Sequence, residues 1–139
     1  MIVENQYFEV DRRVYQEACT LMEDGKDLYI ISPKQPEKPW VYQDRSMRIY
    51  QFPEIKNAGG LLGYLIEYGY SLLVIFMISL WIWAKFNFDV VHIANPPDIL
   101  FLIGLFYKCF GKKYIFDHHD LSPELYLAKN SLKPRKRIF

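Results

Sequence analysis

The densest run of chemically versatile side chains is DHHDLSPE, residues 117–124, which sets Asp117, His118, His119, Asp120 and Glu124 in one stretch. Imidazole titrates near neutral pH and hydrogen-bonds sugar hydroxyls or phosphate, so this composition suits polar ligand binding or proton transfer. Two adjacent side chains diverge, so one histidine is expected to face a ligand while the other packs or caps. The three acids are placed to orient those rings, to accept from hydroxyls or to cap the helix that follows. A purely structural turn-and-cap cluster is the competing reading. A metal centre is disfavoured, because the HHD run lacks a second ligand cluster and His92 falls in a strand. A second loop, ANPPD at residues 94–98, joins a strand end to a helix start. Free N–H groups at such an end bind phosphate, but two prolines remove two donors and Asp98 repels anions, which favours a structural role. The sequence contains no GxGxxG, GxxxxGK[ST] or GxSxG motif, so dinucleotide, P-loop and hydrolase-elbow chemistry lack their usual support.

The elements that must position these loops follow from apolar spacing. Ile2 and Val3 read as the end of a short strand. Val14, Tyr15, Ala18, Leu21 and Met22 recur at helical spacing, with Asp11 placed to cap and Gly25 to terminate. Residues 28–32 and 47–52 are short apolar runs closed by Pro33 and Pro53, as buried strands are, and residues 33–39 read as a proline-rich surface loop. Residues 57–60 open a long helix over residues 61–85, about 37 Å at 1.5 Å per residue. A strand over residues 89–93, a helix over residues 99–110 stopped by Gly111, and a strand over residues 113–117 come next. A last helix begins near Glu124. Apolar strands alternating with helices predict a Rossmann-like open parallel sheet, an α/β fold with helices on both faces. In such sheets ligands lie beyond the carboxyl ends of the strands, which directs attention to residues 4–11, 32–39, 94–98 and 117–124.

The chain has 139 residues, 51% hydrophobic and 17% aromatic, with a formal charge of +1. The length suits one domain, residues 1–139, and the composition excludes a disordered or collagen-like chain. A charge near zero argues against nucleic acid as a partner. Cys19 and Cys109 stand far apart with no metal-ligand spacing, so neither a disulfide framework nor a zinc site is signalled, and a reducing cytosol is the natural compartment. The acidic first residues lack the apolar core of a secretory signal. Between Glu67 and Lys85 lie 17 uncharged residues, at the lower edge of what spans a bilayer. Trp81, Trp83, Tyr64, Tyr68 and Tyr70 near its ends suit a membrane interface, though aromatics also fill soluble cores. A helix packed partly on the sheet and partly against lipid is the favoured reading, because a true span would strand the flanking strands. Lys129, Lys133, Arg135, Lys136 and Arg137 add cations that suit an anionic leaflet as well as they suit a solvated terminus.

Three stretches, residues 5–25 (NQYFEVDRRVYQEACTLMEDG), 68–73 (YGYSLL) and 88–129 (FDVVHIANPPDILFLIGLFYKCFGKKYIFDHHDLSPELYLAK), together resemble the N-terminal domain of a family 4 glycosyltransferase of the GT-B class. These are the retaining enzymes that build bacterial surface polysaccharides. The resemblance implies one half of a GT-B fold that binds the acceptor, often a polyprenyl-diphosphate-linked sugar, at the cytoplasmic face of the inner membrane. It implies that His119 contacts the reacting sugars as the catalytic residue, and that acceptor binding falls to Asp11, Arg12, Arg13, Asn95, Asp117, His118, Asp120 and Glu124. The two arginines of the DRRV helix start are suited to meet a diphosphate. No metal or other cofactor is implied, since the sugar nucleotide is expected on a C-terminal domain.

The sequence departs from that pattern in three respects. It starts within the expected first strand, it stops at Phe139 before the donor domain with its paired glutamates, and it lacks the glycine-rich loop that many relatives carry after the first strand. The expectation is a domain incomplete at both ends that is inactive alone, either one subunit of a split enzyme paired with a separate C-terminal chain or a truncated product. The rival readings are a non-catalytic membrane-associated domain, a decayed gene fragment, and a nucleotide-binding module without a glycine fingerprint.

Overall fold

The computed structural model describes residues 1–55 and 61–118. The elements are α1 (Arg12–Glu23), β1 (Tyr29–Pro33), β2 (Val41–Asp44), β3 (Met47–Phe52), α2 (Leu61–Phe86), β4 (Val90–Ala94), a 3-10 turn (Asp98–Leu100), α3 (Phe101–Cys109) and β5 (Lys113–Asp117). The helix ends follow the local chemistry. Asp11 accepts from the Val14 N–H at 3.2 Å, satisfying one of the orphan donors of α1. At its other end Gly25 takes φ +75° while the Gly25 and Lys26 N–H groups close on Met22 and Leu21 carbonyls.

β1, β3 and β2 form a three-stranded sheet in the order β1-β3-β2, and β4 pairs with β5. Residues 1–3 lie between the two, with Ile2 bridging Ile31 and Ile93 in parallel. The ladder on both sides is explicit: Val3 donates to Ile31 and Ile31 donates to Met1, each at 2.9 Å, while Ile2 donates to His92 at 2.8 Å and accepts from Ala94 at 3.0 Å. The wholly parallel sheet expected from the sequence is corrected by β2. It runs antiparallel to β3 through a tight turn at Arg45, which adopts φ 53°. β2 is an edge strand of alternating exposure, so it carries none of the continuous apolar signal of its buried neighbours. The sheet is therefore mixed, with helices on both faces.

The strand period of two divides the core. Val3, Ile30, Met47, Ile49 and Ala94 face α1, where Val14 and Ala18 meet them. Ile2, Ile31, Tyr50, Phe52, Val91 and Ile93 face the other way, onto Ile75 and Ile82 of α2 and Ile103 and Tyr107 of α3. α3 approaches β5 so closely at Gly104 that a Cβ there would overlap the Tyr114 ring.

α2 has an unusual distribution. Its sheet-facing residues include Ser71 and Ser79, 3% and 2% exposed, whereas Leu62, Leu65, Leu73, Met77 and Trp81 point outward and are more than half exposed or at half. Ser79 donates to the Phe76 carbonyl or shares its proton with the Tyr107 hydroxyl, both at 2.8 Å. Ile75 and Ile82 share the inner side with the two serines, so α2 is apolar on both sides, unlike a soluble amphipathic helix. By length and composition Leu62–Phe86 is apolar enough to cross a membrane, yet one side of α2 packs on β1 and β3.

Candidate functional site

The carboxyl ends of β4 and β5 and the start of α1 converge. The DRRV sequence places Arg13 in the first turn of α1, and Asp117 ends β5 on the face that α1 covers, because its register partner Ala94 packs in the α1 cluster. The Arg13 Nη1 lies 2.9 Å from the Asp117 Oδ2. The second arm of this guanidinium, Nη2, is buried without a hydrogen-bond partner among the described residues. A half-satisfied guanidinium is suited to a second anionic oxygen, since its fork can serve two acceptors.

Asn95 follows β4 directly. Its backbone N–H donates to the Asp117 carbonyl at 3.1 Å, and its side-chain amide donates to the Asp98 carboxylate. Asn95 is 3% exposed, and its Oδ1 has no hydrogen-bond partner among the described residues. That orientation leaves a buried acceptor at the strand ends, a position that a ligand hydroxyl can fill. The bonds preceding Pro96 and Pro97 are both cis. His118 extends from β5 with its Nε2 3.8 Å from the Asp98 Oδ1, and both side chains are open to solvent.

Of the residues singled out in the sequence, Arg13, Asn95, Asp117 and His118 are thus brought together. Asp11 is committed to capping α1, which removes one carboxylate oxygen from ligand duty. Arg12 points outward into solvent and forms no ion pair among the described residues. His119, Asp120 and Glu124 lie outside the described residues, as do the cations of residues 129–137 and the opening of the long helix at residues 57–60.

Four further residues belong to this region and were not singled out as ligand contacts. Asp98 links Asn95 to His118. Glu17, one helical turn beyond Arg13, has its Oε2 3.9 Å from the His92 Nε2. The i, i+4 spacing of Arg13 and Glu17 puts both over the same strands, which is a signal legible in the sequence. His92 alternates with Val91 and Ile93 along β4 and so faces α1, where burial, with the chain's amino-terminal charge, pushes its pKa down. Glu4 follows the 1–3 segment at the same end of the sheet. Burial pushes its carboxyl pKa up, with Glu54 and Glu67 adding to the effect and a hydrogen bond to Ser71 opposing it.

A cavity of 470 Å³ opens at the opposite, amino-terminal end of β1 and β4, lined by residues such as Leu28, Tyr29, Phe86 and Val90. It is largely apolar, and Arg13, Asn95, Asp117 and His118 do not line it, whereas His92 does. No protein-family model, curated protein or solved structure matches this chain.

Proposed function

We propose that the chain forms the acceptor-binding half of a retaining glycosyltransferase of GT-B type, acting in surface polysaccharide synthesis at the cytoplasmic face of a membrane. The observation that carries this reading is Arg13, with one arm on Asp117 and the other without a hydrogen-bond partner among the described residues, beside the buried acceptor of Asn95 at the strand carboxyl ends. The strand order supports the finer fold. With residues 1–3 counted as the first strand and the antiparallel edge strand β2 set aside, β1, β3, β4 and β5 are the second to fifth parallel strands, and their spatial order is 3-2-1-4-5. That order belongs to doubly wound Rossmann-like sheets, whose ligands sit where the order reverses, between strands 1 and 4. Glu4 and Asn95 flank this point.

In this reading Arg13 and the positive end of α1 meet the diphosphate of a lipid-linked glycan, and Asn95 accepts from a sugar hydroxyl. Asp117 holds Arg13 in place. His119, by the resemblance stated above, stands beside the reacting sugars. The sugar nucleotide binds a donor domain, carried by the same polypeptide or by a separate chain, and retention of configuration is achieved once both halves close and exclude water. The outward face of α2 lies in the headgroup region of the leaflet that holds the acceptor, as interfacial helices do.

The test is binding of a polyprenyl-diphosphate-linked sugar to the purified chain in detergent. Arg13→Ala is expected to weaken binding about 10- to 100-fold, the range set by one charge-assisted contact of roughly 1.5–3 kcal/mol. Equal affinity of wild type and variant contradicts the reading. The exposed apolar face of α2 also suits a non-catalytic membrane-associated domain, and membrane binding with no affinity for any lipid-linked glycan would select that alternative.

A further inference from the structure

We propose that Glu17, His92 and Asp117 form a site for a divalent first-row transition ion. One ligand atom from each of the three lies within 4.8 Å of the other two, and the residues come from three different elements, α1, β4 and β5. Convergence from separate elements is what a coordination site requires, because each ligand is then aimed by its own backbone.

The dimensions are within reach of side-chain adjustment. Imidazole nitrogen and carboxylate oxygen bind such ions at about 2.0–2.2 Å, so two ligand atoms on a tetrahedral ion stand about 3.4 Å apart. The His92 Nε2 and Glu17 Oε2, 3.9 Å apart, close by about half an ångström. The widest separation, 4.8 Å, closes by about 1.4 Å, which a carboxylate turning about its side-chain bonds can cover. A mixed nitrogen and oxygen donor set favours zinc, manganese or iron over magnesium or calcium, which prefer all-oxygen surroundings. Three protein ligands leave at least one coordination position for water or a ligand oxygen.

Arg13 bears on the same carboxylate, with its Nη1 2.9 Å from the Asp117 Oδ2. The guanidinium and the ion therefore bear on the same Asp117 carboxylate, and like charges so placed repel. Arg13 sets the affinity by this repulsion. His92 lies three residues before Asn95 along β4, so the ion would tie α1 to the β4–β5 pair from below the strand ends. Nothing in this assignment depends on the glycosyltransferase reading, and its readout is metal binding alone.

The experiment titrates the full chain, purified in detergent and stripped of metal, with Co²⁺ followed by its visible absorption and with Zn²⁺ in competition. One equivalent is expected to bind, with Mg²⁺ failing to displace it. Glu17→Gln and His92→Gln are each expected to weaken binding about tenfold or more, whereas Cys19→Ser is without effect. Arg13→Gln is expected to tighten it. The absence of a Co²⁺ signal in wild type overturns the proposal, as does full binding by Glu17→Gln, a variant at a partly exposed helix position that circular dichroism can verify as folded.

Discussion

At the scale of single residues, the behaviour of Glu4 separates burial from charge. Its folded pKa is raised, chiefly by desolvation, so the folded state holds the proton more tightly than the unfolded chain. The favourable contribution is fully present below the unfolded value of 4.5 and is lost as pH rises through the folded pKa. Glu4→Gln, which retains a partner for Ser71 without the charge, is therefore expected to be more stable than wild type at pH 7, with the difference shrinking as pH falls toward 4.5. Urea denaturation of both proteins at the two pH values checks this, and a larger advantage at the lower pH would contradict it. The sequence revealed part of this chemistry. Asp11 as a helix cap and Asp117 and His118 beyond a strand are legible because capping and strand ends have local signatures. Glu17 was legible only as sharing a helix face with Arg13, and His92 and Glu4 not at all, since only the crossing of α1 over β4 and the burial beneath α2 give them partners.

Elements set the next scale. Gly104 of α3 lies against the Tyr114 ring of β5 with no room for a Cβ. Gly104→Ala is expected to destabilise the chain by roughly 1–3 kcal/mol, the usual cost of overpacking, and thermal unfolding measures it. The gain in helix propensity, about 1 kcal/mol for replacing glycine, opposes this cost and does not cancel it unless the ring swings away. An unchanged melting temperature would mean that Tyr114 moves freely. Ile75 is fully buried on the inner side of α2, so Ile75→Ala is expected to cost about 2–5 kcal/mol. The boundaries of α1, α2, β3 and β5 were legible because their apolar periods are long and end at glycine, proline or charge. β2 was not, because an exposed edge strand after a proline-rich stretch has no apolar run to betray it. The start of the α3 helix as a 3-10 turn at Asp98–Leu100 was also hidden, being set by the two prolines before it.

For the whole molecule, the question is what covers α2. Leu73 and Met77 are 56% and 54% exposed on a helix whose buried side carries serines, an arrangement that water alone does not favour. Replacing both with aspartate touches no core residue and is expected to change stability by no more than about 0.5 kcal/mol. If, as proposed, this apolar face is the surface offered to lipid, the same pair of substitutions releases the chain from anionic vesicles in flotation. Retention of vesicle binding would assign the contact to another part of the chain. The α/β class and the two-faced sheet were legible from strand and helix alternation alone. Ile2 and Val3 were legible as a strand end, but their placement between β1 and β4 was not, because pairing partners distant in sequence leave no local signature.

The central claim is that the cluster at the strand carboxyl ends serves a glycosyl acceptor. The most direct measurement is sugar transfer in membranes containing a lipid-linked acceptor, with this chain supplied together with a donor-binding domain and with Arg13→Ala and His119→Ala as variants. Transfer that requires this chain, falls by about 10- to 100-fold with Arg13→Ala and is lost with His119→Ala is the predicted result. Transfer that proceeds equally without the chain, or that is indifferent to both substitutions, would contradict the account.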